Sequence, residues 1–515
     1  MSSFDPGCNS GRKINWEVVK RIYRTCSVAL CSASWYKNCF SFQPLAVKMK
    51  KHMTLTKTSS FSFSIKGGVW PLAFLLVTAI PCLVCSQESK AVEKSFSLDN
   101  GMKVSLYERH TLPMLNVVAA VNAGSKDETD ETSGLAHLLE HYILFRGTEV
   151  RSGSEISQDI RRHGAYFNAH TGQDLALFEI SLPSDFADFA LKNQKEILFD
   201  LKFSQPEMDA EKDVILEEVS QIEDDPFRFA TALVYQNLFK GHPYQKPIFG
   251  KKESLKAITL EQLEGFYKKY YHPANCALAI VGDFALKDME DKVRAVFGPI
   301  KREAFAPAKF EKVSPPEKTI DVEQALDVQE AYLAIGVVAP DYNSPDQFAV
   351  DVLTEILGRG IRPMLNAALR GERDLINGVS MTFVGLKYGG ACVIYFTLDP
   401  KNLSAAKRQA VQYIRQRARS ENYAKSDVYG EEQMYAFDYL ESAKNQIRFN
   451  TQQAQEDGLG LASSLAMYML LNEGSEMLNY LENIGKVDTS DLRKAAAKYL
   501  SKGEYVLVSI VPKKK

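Results

Sequence analysis

A chain of 515 residues exceeds one typical domain, and 45% hydrophobic with 24% charged residues is ordinary globular composition, neither disordered nor fibrous. The net charge of −2 conceals an asymmetry, because residues 1–66 carry 11 Lys and Arg against two acids, Asp5 and Glu17, and the rest carries 51 against 62. A body near −11 has no electrostatic reason to bind nucleic acid.

From Lys66 to Glu88 no residue between the two is charged, and Val69 to Cys85 is a 17-residue apolar run behind a basic stretch. It is short and proline-interrupted for a membrane span, and fits the apolar core of a secretory signal peptide cleaved after Ser86. Residues 1–86 are therefore read as a leader. MKKHMTLTK makes Met49 or Met53 a natural start, and the mature chain is expected in a periplasm or outside the cell. Two alternatives stay open. The basic, serine-rich, acid-poor residues 1–66 also fit an organellar, mitochondrial transit peptide. A lipid anchor on Cys85 is the only expected membrane contact, and the bulk of Val84 counts against it. Six of eight cysteines lie in the leader, leaving Cys276 and Cys392, so no disulfide framework follows.

SGLAHLLEHYILFRGT reads as a helix in which His137, Glu140 and His141 form HxxEH. Histidines four apart share a helix face and can offer two ring nitrogens to one metal, with a carboxylate beside them. Five residues with three fixed also fit a salt-bridged surface turn. Leu135, Leu138, Leu139, Ile143 and Leu144 instead give the trio an apolar setting, where charge needs a partner. That partner is available in PEMDAEKDVILEEVSQIEDDP, a predicted helix with Pro206 in its first turn and Val214, Ile215, Val219 and Ile222 on its apolar side. Glu211 and Glu218 lie two turns apart and face together, whereas Glu217 points elsewhere. A His, His, Glu set leaves a tetrahedral zinc one open position, as a catalytic site requires.

HxxEH followed by EKDVILEE, with 76 residues between His141 and Glu218, resembles the pitrilysin family of zinc peptidases over roughly residues 92–515. The resemblance implies one zinc per chain on His137, His141 and Glu218, with Glu140 as general base and Glu211 as a supporting acid. It further implies that Asn168 and Ala169, in an NAxT segment, lie on an edge strand that holds peptide by main-chain bonds. Family members also grip substrate carbonyls with an arginine and a tyrosine seven residues later. Here Arg370 is present and the tyrosine position is Asn377, so the grip is weakened or comes from a second chain. The expected partner is a homologous subunit without HxxEH that keeps the arginine and tyrosine, or a second copy.

The body reads as two similar halves of an α+β fold, residues 92–300 and 321–515, joined by the proline- and lysine-rich segment 301–320. At an offset of 229 residues Tyr270 meets Tyr499, and Ala277 to Val281 meets Val506 to Ile510. Strand signals LNVVAAVNAG and AYLAIGVVAP open the halves. VDVLTEILGRG stands where the first half has HLLEHYILFRG, so the second half has lost the chemistry. By the resemblance, each half is an antiparallel sheet packed by helices, and the two close like a clam shell around a substrate chamber. His163 and His170 read as surface histidines of a hairpin turning at Gly172 and Gln173, HPYQKPIFG as a structural loop, and ASSLAMYMLL as core. The expected function is a zinc endopeptidase for peptides or unfolded segments. The alternatives are a non-catalytic scaffold subunit of the same fold, and a processing peptidase for targeting peptides.

Overall fold

The computed structural model describes residues 92–302, 305–371, 373–419, 438–471, 479–501 and 504–513. The leader, with its apolar run, Cys85 and the starts at Met49 or Met53, lies outside them. Among the described residues no helix is long and apolar enough to cross a membrane.

The first sheet comprises β1 (Val92–Ser97), β2 (Lys103–Glu108), β3 (Met114–Val121), β4 (Tyr166–Thr171), β5 (Ala176–Pro183) and β6 (Cys276–Gly282), in the order β1-β2-β6-β3-β5-β4. The second comprises β7 (Ile320–Leu326), β8 (Ala331–Ala339), β9 (Gly378–Val384), β10 (Gly390–Leu398) and β11 (Val506–Pro512), in the order β7-β11-β8-β10-β9. Removing β1 leaves the same topology in both, as expected of two homologous halves. The sheets are mixed rather than antiparallel, because β2 runs parallel to β6 and β7 parallel to β11. In each half the closing strand arrives after the intervening helices and inserts antiparallel to β3 or β8 on one side and parallel to β2 or β7 on the other.

The interior of β3 and all of β6 are buried on both faces, so β6 reads as a continuous apolar run and β3 as one broken only at Asn116. Val117, Ala119 and Val121 face one core, and Val118 and Ala120 face another. The first core is closed by α1 (Leu135–Phe145), α2 (Gly153–Arg162), α3 (Ala187–Phe199), α4 (Gln205–Asp224), α6 (Leu260–Tyr270) and α7 (Leu286–Phe297). Between α4 and α6, α5 (Pro226–Leu238) leaves its own half and lays Ala230, Val234 and Leu238 against β8, β10 and β11. It comes close enough that a Cβ on Gly336 would lie 2.3 Å from Val234 Cγ1, so only glycine fits there.

The second half contributes α8 (Asp346–Thr354), α9 (Leu403–Ala418), α10 (Tyr439–Glu456), α11 (Gly458–Leu471) and α12 (Thr489–Tyr499). All but α11 bury residues in the second half's own core. The helix α11, which contains ASSLAMYMLL, instead packs Leu461, Ala462, Leu465 and Ala466 on Val118, Ala120, Ala277 and Ala279 of the first sheet. Each half therefore covers one face of the other's sheet. The expected core segment is core, but of the opposite half.

Candidate metal centre

The helix α1 has no side-chain cap at its own N-terminus, which opens on Gly134 at φ +96°. Glu128 supplies the cap from six residues upstream, accepting the N–H groups of Gly134 and Ala136 at 2.9 Å each. Lys246 holds Glu128 in turn by donating to its carbonyl oxygen at 2.6 Å. Burial pushes the Glu128 carboxyl up to about 8, against the pull of the two backbone N–H groups. The first turn thus fixed carries His137, and the next carries Glu140 and His141; all three are buried.

From α4, Glu218 reaches both imidazoles. Its Oε2 lies 3.8 Å from His137 Nε2 and 3.6 Å from His141 Nε2. One donor atom from each of the three residues falls within 4.8 Å of the others. Tetrahedral zinc with bonds of about 2.0–2.1 Å keeps its donors roughly 3.4 Å apart, so small side-chain movements suffice, and two imidazoles with a carboxylate suit that ion. The Glu218 side chain is 19% exposed, which leaves the group open towards solvent on its side. Behind His141, Nδ1 lies 3.3 Å from Glu211 Oε2, and Glu211 Oε1 lies 2.5 Å from an Arg146 nitrogen. Glu217 is exposed. The predicted phase of α4 therefore brings Glu211 and Glu218 together and leaves Glu217 out.

The apolar side predicted for α4 needs one correction. Ile215, Val219 and Ile222 are buried, but Val214 is 51% exposed. Met208, Glu211 and Lys212 take the inward positions, and Lys212 satisfies its ammonium on the Ile258 carbonyl.

Charge at the site follows from burial and contact. Burial, then the neighbouring His141, pushes His137 down to about 3. Burial also works against a charged His141, but hydrogen bonds to Glu211 and Glu218 and the nearby Glu140 outweigh it and raise His141 to about 9. Burial raises the Glu140 carboxyl, opposed by the Thr171 hydroxyl and the His141 and His170 rings. For Glu218 burial is outweighed by the two histidines, and its carboxyl is lowered.

The loop HPYQKPIFG comes closer to the site than a remote structural loop, since the Phe249 ring meets His137 edge-on at 4.8 Å. Asn168 and Ala169 lie on β4, which among the described residues pairs only with β5 and is an edge of its sheet. The Asn168 amide donates to the Tyr166 hydroxyl at 3.1 Å. His163 is not in the hairpin: it ends α2, where Nδ1 lies 2.8 Å from the Asp159 carbonyl oxygen, and its ring stacks on Phe189 at 3.9 Å. His170 is on β4, 3.5 Å from Glu179. Arg370 sits in a π-helical turn, Ala367–Gly371, of the second half. Asn377 donates its amide to Glu330 at 2.9 Å. Among the described residues no hydrogen bond or ion pair joins Arg370 or Asn377 to the histidine group.

Two sequence profiles match in tandem. The profile described as Insulinase (Peptidase family M16) covers residues 103–252, and the Peptidase M16 inactive domain covers residues 257–422. The chain belongs to peptidase family M16. The pitrilysin resemblance is thereby borne out. Within this family, an uncharacterized zinc protease of Rickettsia felis is 22% identical over 411 residues, 77% of this chain and 97% of the relative. A probable mitochondrial-processing peptidase subunit beta of Arabidopsis thaliana is 25% identical over 264 residues, 51% of this chain and 50% of the relative. The crystal structure of a protease from Helicobacter pylori shares the fold, with a TM-score of 0.74 at 21% identity, covering 82% of this chain and all of that one. A peptidase M16 inactive domain structure from Pseudomonas fluorescens superposes with a TM-score of 0.72 at 22% identity, over 82% and 98% of the two chains.

The sequence reading missed Glu128, Arg146 and Phe249. Glu128 lies in the polar run SKDETDETSG, which looks like a solvated loop. Arg146 ends a helix, where a cation needs no special partner. Neither carries a signal separable from surface charge.

Proposed function

We propose that the chain is a zinc-dependent endopeptidase for peptides or unfolded segments, with His137, His141 and Glu218 as the ligands. The observation that carries this reading is the convergence of two imidazole nitrogens and a carboxylate oxygen on one point in a family M16 chain. Zinc there would polarise a scissile carbonyl and lower the pKa of a bound water towards about 7. Glu140 takes the proton of the attacking water and hands it to the leaving amine, a task suited to a buried carboxyl with a raised pKa. Glu211 orients His141. An extended peptide adds to the free edge of β4 at Asn168 and Ala169, so main-chain bonds give affinity without strong sequence preference.

Arg370 is half of a carbonyl grip whose other half is absent, since the amide of Asn377 is engaged with Glu330. The substrate chamber is completed by a homologous subunit without HxxEH, or by a second copy. Asn377→Tyr is therefore expected to raise the peptidase rate of the isolated chain. An isolated wild-type chain already turning over at about 10 per second, with no gain from the substitution, removes the two-subunit idea.

Zinc must displace the proton that metal-free His141 holds up to about pH 9. Because the metal competes with that proton, zinc affinity should rise with pH, roughly tenfold per unit between about pH 6 and 9, and level off above. Calorimetry in buffers of different ionisation heat should show about one proton released per zinc at neutral pH. A flat profile would mean that His141 is already neutral.

A scaffold role is disfavoured because it gives no reason to keep buried carboxylates beside two histidines. Processing of targeting peptides is the second peptidase reading, favoured by the Arabidopsis relative and the basic leader. The leader's apolar run favours a periplasmic or secreted chain. Sequencing the mature N-terminus separates these locations. The decisive experiment measures zinc in the purified body and assays a quenched peptide library with and without any co-purifying chain. A body that binds no zinc and is inert in both assays overturns the peptidase reading.

A further inference from the structure

We propose that Arg146 is a positioning residue for the metal centre, acting through Glu211 on His141; this rests on the metallopeptidase reading above. Arg146 follows the last residue of α1, and its N–H closes the final turn on the Tyr142 carbonyl at 3.0 Å. Its guanidinium crosses to α4 and lies 2.5 Å from Glu211 Oε1, while Glu211 Oε2 lies 3.3 Å from His141 Nδ1. The order is guanidinium, carboxylate, imidazole, and the far ring nitrogen of His141 faces Glu218.

Glu211 is 3% exposed, and a carboxylate so deep is strongly disfavoured without a counter-charge. Arg146 supplies that charge at one oxygen and leaves the other for the ring. With Nδ1–H donated to Glu211, the His141 lone pair sits on Nε2, pointing towards the centre. His137 has no such support: its Nδ1 is buried without a hydrogen-bond partner among the described residues, and the ring is backed by Phe249. The arginine therefore acts on one ligand and not the other.

A simple helix-end role is available for comparison within the same chain. Aligning HLLEHYILFRG with VDVLTEILGRG sets Arg146 against Arg359. Arg359 stays local, with Nε 2.5 Å from Glu355 and a second nitrogen 3.4 Å from Asp351 on the preceding turns. In α1 the positions four and eight residues before Arg146 hold Tyr142 and Leu138, so its own helix places no acid there. Its partner is instead the acid behind a candidate ligand on another helix.

The test is a double-mutant cycle read in zinc affinity by chelator competition, on the whole body. Arg146→Gln is expected to weaken zinc by about 10–100-fold, and to add less than about twofold when Glu211 is already Gln. Arg359→Gln, which removes the comparable arginine of the other half, is expected to leave zinc affinity within about twofold. Cobalt substituted for zinc should show altered visible bands in Arg146→Gln and nearly native bands in Arg146→Lys, which keeps the charge. Should Arg146→Gln fail to fold, Arg146→Lys carries the test alone, with a few-fold weaker zinc and an unchanged circular dichroism spectrum. Equal losses in both backgrounds overturn the proposal, as does unchanged affinity with only a lower unfolding midpoint. A wild-type body that binds no zinc overturns the metallopeptidase reading and this one with it. Zinc binding in the wild type without coupling overturns this one only.

Discussion

Glu140→Gln is expected to lower peptidase turnover by about a hundredfold to ten-thousandfold, the range attributed to a positioned acid or base, while zinc content stays unchanged. Glutamine keeps the shape of the side chain and its place in a buried setting, but it cannot accept the proton of the attacking water. Burial already works against a charged Glu140, so the neutral amide should not lower the unfolding midpoint. Turnover, zinc content and thermal unfolding together separate the possible roles. Loss of zinc along with activity would make Glu140 a ligand, and retained turnover would place the base elsewhere.

His141→Ala should remove most of the zinc, because it deletes one donor and strands the Glu211 carboxylate behind it. Glu218→Gln should weaken binding comparably, since Glu218 lies within 4 Å of both rings. Glu211→Gln should cost about 10–100-fold, as expected for a group that only orients a ligand. Glu217→Gln, one residue from Glu218 but exposed, should change nothing. Metal analysis after dialysis, followed by chelator competition, ranks the four. Full zinc retention in His141→Ala would falsify the ligand assignment.

The histidine helix was legible because two signals agree there: apolar residues at helical spacing bury α1, and the polar trio interrupts them on one face. The pairing of Glu211 with Glu218 was legible from spacing alone. The sequence misled at Val214, since the inward face of α4 is set partly by Glu211 and Lys212, charged residues that a hydropathy pattern assigns to solvent. β1 and β7 were missed because their residues are mostly exposed and carry little alternation. The approach of Phe249 to His137 and the crossing of Arg146 to Glu211 depend on tertiary packing, which local pattern does not encode. Nor does an apolar helix such as α11 announce which of two similar sheets it will cover.

That last ambiguity has a consequence for how such a chain persists. Since α5 and α11 each seal the sheet of the opposite half, neither half is a complete folding unit. A piece ending near residue 300 would present the bare apolar face of its sheet to water, and α5 would have nothing to lie on. A half that has shed its histidines is thus locked in place by packing, whatever it contributes to substrate binding. The same interlock makes a hinge between the halves costly, because opening one would expose to water the apolar faces that α5 and α11 cover.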